Sequence, residues 1–271
     1  MFDKIINQIK EIAELSWQKG WAERNAGNFS IRITSLYSSD NFYSSNELHK
    51  IKLNNFDSSG IEGEIFLVSC AGSRMRDISK SPQDHFCYVF IKNGNVYYTS
   101  ISNSDKNKPS SELISHLETQ KALINSDSIN HAVLHLHATE LITLTHFPDL
   151  CSAENLNKII LSMHTESLYF LPKGIGFIPF EIPGTNEIAR LTAELITKND
   201  LILWEKHGCI VSATDIREAF DMIDIASKSA AIYLELKKCR ILPLGLCNDQ
   251  IERLKLHYGI IKADNTIIFQ D

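Results

Sequence analysis

No stretch of the 271-residue sequence approaches the roughly 20 consecutive apolar residues that a helix needs to cross a bilayer, so no membrane partner is expected. The six cysteines, Cys70, Cys87, Cys151, Cys209, Cys239 and Cys247, are scattered without a Cys-x-x-Cys pair, which removes zinc ribbons and dithiol redox motifs. They read as reduced thiols in a chain of this size, with Cys209 serving packing. Basic residues do not exceed acidic ones (27 against 33, net charge -6), and no Lys/Arg cluster is interleaved with aromatics, so nucleic acid is not an expected partner. Small molecules are. The start, Met1-Phe2-Asp3-Lys4, runs straight into an amphipathic pattern without the basic, apolar and small-residue segments of a signal peptide, and a cytoplasmic protein is expected. Internal repeats, low-complexity tracts and Gly/Pro/Ser-rich linkers are also missing. The reading is one domain over residues 1–271.

What is present is a chain of alternating helix and strand signals. Ile5, Ile6, Ile9, Ile12, Ala13 and Trp17 follow helical spacing from Asp3 to Lys19, with Gly20 as the stop. Phe29 to Ile33 alternates as a strand. Residues 35–63 are rich in Ser and Asn, lack periodicity and read as a surface excursion. Glu64 to Ser69 is a strand running into Cys70-Ala71-Gly72-Ser73-Arg74, and the Asn93-Gly94 pair predicts a hairpin between Phe86–Ile91 and Val96–Ile101. This part is antiparallel sheet. A helix opens at Ser110-Ser111-Glu112, with either serine as its cap. Further helices are expected over about Thr139–His146, Ala153–Met163, 186–197 with Thr185 as cap, Thr214–Cys239 and Asp249–Tyr258. Ser167 to Leu171 and Leu201 to Trp204 read as strands, and Gly174-Ile175-Gly176 as a turn.

Ala132-Val133-Leu134-His135-Leu136-His137-Ala138-Thr139 places two imidazoles two positions apart in a buried strand, so both leave the same face. Neutral imidazole is a common zinc ligand, and a catalytic zinc site takes three protein ligands and keeps a position open. His207, at the mouth of the strand ending Trp204-Glu205-Lys206-His207-Gly208, is a credible third, with Gly208 letting the backbone pass close by. A carboxylate is then needed to move protons, and Glu112 and Glu166 are the two on offer. Read alone, Glu112 is equally a charge placed in the first turn of a helix. The Asn25-Ala26-Gly27-Asn28 and 70–74 turns can each form an anion-holding nest, or be plain turns. His164, close to Glu166, has no role beyond hydrogen bonding.

Taken together, Gly20-Trp21-Ala22-Glu23-Arg24-Asn25-Ala26-Gly27-Asn28, Ser110-Ser111-Glu112-Leu113, His135-Leu136-His137-Ala138-Thr139 and Trp204-Glu205-Lys206-His207-Gly208 resemble the class II aldolase family of zinc-dependent sugar-phosphate enzymes. The resemblance runs from the first helix to the last. It implies a mixed α/β (α+β-like) fold, a central mainly antiparallel sheet with helices on both sides, and a cyclic homotetramer with active sites between subunits. The implied activity is reversible aldol cleavage of L-rhamnulose 1-phosphate to dihydroxyacetone phosphate and L-lactaldehyde. Matched motif by motif, His135, His137, His207 and Glu112 hold Zn2+, and Glu112 swings away to shuttle protons. Glu166 is a second catalytic carboxylate contributed across the subunit contact. Asn25, Gly27, Asn28, Gly72, Ser73, Ser110 and Ser111 match the turns that hold the sugar phosphate. The chain departs from the family pattern at Ala26, where a glycine is usual, and in the altered 70–74 turn. Alternatives on the same scaffold are L-fuculose-1-phosphate aldolase, L-ribulose-5-phosphate 4-epimerase, methylthioribulose-1-phosphate dehydratase and a non-enzymatic adducin-like interaction domain, in which the histidines would be lost.

Overall fold

The apolar runs pair into one nine-stranded sheet in a computed structural model that describes residues 2–36, 48–100 and 107–260. In chain order the strands are β1 (Asn28–Arg32), β2 (His49–Ile51), β3 (Ile65–Ser69), β4 (Phe86–Lys92), β5 (Asn95–Ser100), β6 (Ala132–Leu136), β7 (Ile175–Ile178), β8 (Leu201–Trp204) and β9 (Gly208–Ala213). They lie in the order β2-β5-β4-β3-β1-β6-β9-β8-β7, every neighbour antiparallel except the parallel pair β7 and β8. The Asn93-Gly94 hairpin forms as expected, both residues at positive φ, as a two-residue turn with the strands' own twist requires.

The helices are α1 (Phe2–Gln18), α2 (Met75–Ile78), α3 (Leu113–Asn125), α4 (Thr139–Leu144), α5 (Ala153–Ile160), α6 (Thr165–Phe170), α7 (Asn186–Ile196), α8 (Ile216–Lys238) and α9 (Asn248–Tyr258). Strand alternation divides the core. Leu134, Leu136, Leu203 and Val211 pack with α1, α4 to α6 and α8 on one face, while Val133, Ile202, Trp204 and Ile210 meet α3 and α7 on the other. His135 shares the face of Val133, so the sheet sends its imidazole toward α3 and α7.

Five expectations need correction. Ser167–Leu171 is not a strand: Thr165–Phe170 forms a helix that buries Ser167 and Leu168 against α8, and a short apolar run carries too few residues to separate the two periods. Gly174–Gly176 is not a simple turn, because β7 begins at Ile175 and pairs along β8; Gly176 is needed there since a Cβ would stand 2.8 Å from Ile202 Cδ1. The supposed 35–63 excursion contains β2, the sheet edge, and buried Ile61; residues 37–47 lie outside the described residues, as does Ile101. The 110–125 helix starts at Leu113, so Glu112 is the residue before its first turn and its side chain does not cap it. The longest helix is likewise capped by Asp215, which accepts from the Arg217 and Glu218 amides, one residue past Thr214.

Candidate metal centre and active site

β6 ends where β9 begins, and the register sets Leu136 opposite Cys209. His207 closes the three-residue loop between Trp204 and Gly208, whose Cα atoms pair. Lys206 takes a left-handed conformation there (φ 57°), and its amide is held by Thr145 Oγ1 at 2.9 Å. The consequence is convergence: one ring nitrogen from each of His135, His137 and His207 lies within 4.8 Å of the others, close enough for a single ion. The ring centroids are 4.9 to 5.1 Å apart. Gly208 makes this possible. A Cβ at that position would stand 2.6 Å from the Leu136 carbonyl oxygen, 2.9 Å from His135 Cε1 and 3.0 Å from His137 Cδ2.

Two of the three rings, His135 and His137, are oriented from behind through Nδ1, each in its own way. His135, 1% exposed, donates from Nδ1 to the Cys209 carbonyl at 2.9 Å and lies 4.7 Å from the Trp204 ring. His137 Nδ1 meets Glu23 Oε1 at 2.7 Å. Imidazoles held this way at Nδ1 present a bare Nε2, the pattern of carboxylate- or carbonyl-backed metal ligands. Burial and the neighbouring imidazoles push His135 well below the ordinary histidine range and bring His207 down to about 3, so both rings are neutral and ligand-competent at pH 7. His135 Nε2 is buried and finds no hydrogen-bond partner among the described residues. A buried bare nitrogen facing two others is costly unless something binds it, and the three-nitrogen set with a carboxylate beside it suits a divalent cation.

The carboxylate is Glu112, 7% exposed, with its two oxygens each 3.6 Å from an imidazole Nε2: Oε2 from His135, Oε1 from His207. Its backbone is held by Ser110 Oγ, which accepts from the Glu112 amide at 3.2 Å. Its side chain accepts from Asn28 Nδ2 at 2.6 Å. Asn28 sits directly across the ladder from His135, which is how the β1–β6 register delivers it.

The remaining residues singled out in the sequence fall into two groups. Phe29 N donates to Ser69 Oγ, Ser110 N to Ser69 O and Ala71 N to Lys108 O, so the 25–28, 70–74 and 108–112 segments lie side by side around Glu112. Asn25, Gly72 and Ser111 are exposed there, Ser110 is buried, and Ser73 Oγ lies 3.2 Å from His85 Nδ1. Gly27 is at φ 81°, with Leu136 Cδ2 and Met75 Cε each 3.1 Å from where a Cβ would be. The Asn28 carboxamide is engaged with Glu112 and His116, which makes it an orienting group for the carboxylate before it is a phosphate donor. Glu166 stands apart: it is exposed on α6, and none of the hydrogen bonds or ion pairs among the described residues ties it to the histidines. The sequence reading gave no role to Glu23 or His116. A signal existed for His116, since Glu112, His116 and Gln120 are spaced by four from the residue before α3 into the helix, facing alternating Asn28 and Ser30 on a strand.

Residues 7–234 match the model of the family described as Class II Aldolase and Adducin N-terminal domain. A rhamnulose-1-phosphate aldolase of Bacteroides thetaiotaomicron is 31% identical over 259 residues, covering 96% of both chains. One from Yersinia pestis is 31% identical over 258 residues, covering 93% of this chain and 90% of its own. Among solved structures, a sugar-phosphate aldolase from Thermotoga maritima superposes with a TM-score of 0.76 at 28% identity, covering 89% of this chain and 98% of that one. An L-fuculose 1-phosphate aldolase shares the fold at a TM-score of 0.62 and 17% identity. With its fold, its histidine triad and matches that span nearly its whole length, the chain belongs to the class II aldolase family.

Proposed function

We propose that the chain is a Zn2+-dependent aldolase that cleaves L-rhamnulose 1-phosphate reversibly into dihydroxyacetone phosphate and L-lactaldehyde. The observation that carries this reading is the intact His135, His137, His207 and Glu112 cluster in a chain whose full-length relatives bear that activity in their names. An adducin-like binding module has no use for a buried, unpartnered imidazole nitrogen backed by a carbonyl, so retention of the cluster favours an enzyme. Domain extent, tetramer and cytoplasmic location belong to the same reading: one domain over 1–271, active sites shared between subunits, and a sugar phosphate as the only partner.

His135, His137 and His207 would hold the ion, with Glu112 as the fourth ligand at rest. Bound there, a divalent cation supplies Lewis acidity, withdrawing electrons from the substrate ketone. The chain does the rest. Cleavage requires the C4 hydroxyl to lose its proton to a base as the C3–C4 bond breaks, the bond electrons passing to C3 next to the carbonyl; Glu112, freed from its resting position and protonated in turn, gives C3 its proton. Glu166 of a neighbouring subunit supplies the second carboxylate. Asn25, Gly27, Gly72, Ser73, Ser110 and Ser111, with Asn28 at their edge, surround the phosphate with amides and hydroxyls. Oriented neutral donors of that kind hold an anion without a Lys/Arg cluster.

Release of dihydroxyacetone phosphate from a panel of ketose 1-phosphates, each beside its unphosphorylated sugar, tests the proposal. L-Rhamnulose 1-phosphate should lead the panel in kcat/KM, and free L-rhamnulose should be far poorer. Preference for L-fuculose 1-phosphate would move the chain to another substrate on the same fold, and equal efficiency on L-rhamnulose and its phosphate would remove the phosphate site.

A further inference from the structure

Behind Glu112, on the side away from the histidines, lies a buried polar chain in the seam between α3 and β1. Gln120 Nε2 donates to the His131 carbonyl at 3.1 Å and to Ser30 Oγ at 3.0 Å. Ser30 Oγ lies 3.0 Å from His116 Nδ1, His116 Nε2 lies 2.5 Å from Asn28 Oδ1, and Asn28 Nδ2 donates to Glu112 Oε2 at 2.6 Å. Ser30, His116 and Gln120 are each no more than 1% exposed.

The directions in this chain are dictated from both ends. At the far end Gln120 faces the carbonyls of His131 and Ser30, the latter at 3.4 Å; only its NH2 can do that, so Ser30 Oγ accepts and its own proton is left to give. At the near end a carboxylate accepts only, so Asn28 must turn its NH2 to Glu112 and its oxygen to His116. That oxygen demands an N–H at His116 Nε2. A neutral imidazole has one proton, so Nδ1 is bare and takes the Ser30 proton. Burial disfavours the doubly protonated ring, bringing His116 down to about 4.

We propose that Gln120, Ser30 and His116 form a one-way hydrogen-bond chain that fixes which face of the Asn28 carboxamide meets Glu112, with His116 as its positioning residue. The asymmetry is what makes it more than packing. An amide can flip, and a flipped Asn28 would set an oxygen against the Glu112 carboxylate, both losing a donor and repelling the group that must carry the proton. His116 in the Nε2–H tautomer prevents the flip. The proposed role rests on Glu112 being the proton carrier of the aldolase reading.

The tautomer is readable without activity, by 15N NMR of histidine-labelled protein at neutral pH, with the His116 signals identified by their loss in His116→Gln. A protonated Nε2 and bare Nδ1 are expected, and Ser30→Ala, which removes the donor to Nδ1, should disturb that resonance pair. For the coupled role, His116→Gln places an acceptor and a donor at similar spacing and should retain most of kcat. His116→Phe keeps the ring shape without the donor and should lower kcat about ten- to a hundredfold, the range for losing one charge-assisted hydrogen bond, with KM and zinc content near wild type. A protonated Nδ1 in the wild type overturns the proposal, as does a His116→Phe enzyme with wild-type kcat or a His116→Gln enzyme no better than it. If His116→Phe does not fold, Ser30→Ala decides: an unchanged tautomer and unchanged kcat refute the chain. If the wild type cleaves no ketose phosphate while the tautomer is as stated, the aldolase reading fails and the hydrogen-bond chain stands.

Discussion

Gly208→Ala adds one methyl group, and the structure says where it goes. The new Cβ would meet the Leu136 carbonyl oxygen at 2.6 Å, and that oxygen belongs to a strand backbone fixed in the β6–β9 ladder, so no side-chain rotation relieves the contact. Reaching an ordinary separation of 3.4 Å opens the ladder by about 0.8 Å at the point where His135 and His137 leave one strand and His207 enters the next. Metal sites tolerate ligand displacements of about 0.2 Å, so a splay of this size should cost zinc affinity well over tenfold. Overpacking of this kind costs roughly 1–3 kcal/mol, which for a domain of this length lowers the melting temperature by about 2–4 °C per kcal/mol. Zinc titration followed by calorimetry, and thermal melts with and without a chelator, read both effects. The wild type should gain stability on adding zinc, and Gly208→Ala should lose most of that gain. A Gly208→Ala protein that takes up one zinc per chain with wild-type affinity and melts within about 1 °C of the wild type would refute the close-approach argument.

Glu112→Gln should still bind zinc through the three imidazoles but lose about a hundredfold or more in kcat, since the amide keeps the shape and cannot carry a proton; turnover near wild type would return Glu112 to a helix-end charge. His116 gives a pH signature: its ring is held neutral down to about 4 in the fold and titrates near 6.5 when unfolded, with Glu112 and His135 the ionisable groups facing it. The unfolded chain therefore takes up the proton first, and on the order of 3 kcal/mol of stability present above pH 6.5 is lost as pH falls toward 4. Denaturant melts across that window should show a flatter dependence in His116→Gln than in the wild type, and identical slopes would count against a buried neutral ring. Glu112→Ala and Glu166→Ala should each be inactive, yet refolding them together in equal parts should restore roughly a quarter of wild-type activity if active sites span subunits of a cyclic assembly. Recovery at background would place both carboxylates in one chain's site, whereas an active Glu166→Ala protein would deny Glu166 a role.

His135 in β6 and His137 just past its end were legible because a strand's period of two is unambiguous once the run is buried, and Gly208 because a glycine beside a proposed ligand has few other uses. The Asn93-Gly94 hairpin was legible for the same reason: only one turn geometry wants both residues at positive φ. Glu112 was found but placed one or two residues too far into the helix, since Ser110 satisfies the Glu112 amide without starting the helix there. Thr165–Phe170 was lost because six residues with Leu168, Tyr169 and Phe170 together fit either a strand or a helix, and only packing against α8 decides. What no local pattern could give is the pairing of Glu23 with His137 across 114 positions, or of Asn28 with Glu112 across 84. Those contacts depend on the register between strands that the sequence does not state.

The three imidazoles are held with unequal stiffness, and the inequality suits the ligand exchange that the proposed function requires. His135 is clamped by a backbone carbonyl and the Trp204 ring at a strand end, so it cannot move without opening the ladder. His137 is backed by Glu23, an exposed side chain, and His207 sits in a three-residue loop with its Nδ1 buried and unpartnered. Glu112 is the most releasable of all. It precedes α3 with non-helical φ and ψ, so its side chain can rotate away from the histidines without breaking a helix or ladder bond, and the donor on Asn28 defines where it returns. On the proposed aldolase reading, a rigid anchor, two adjustable rings and one carboxylate free to leave would open a position for substrate while the imidazoles keep hold of the ion. On that account, removing the Asn28 donor should slow turnover more than it weakens zinc binding, whereas removing the clamp on His135 should do the reverse.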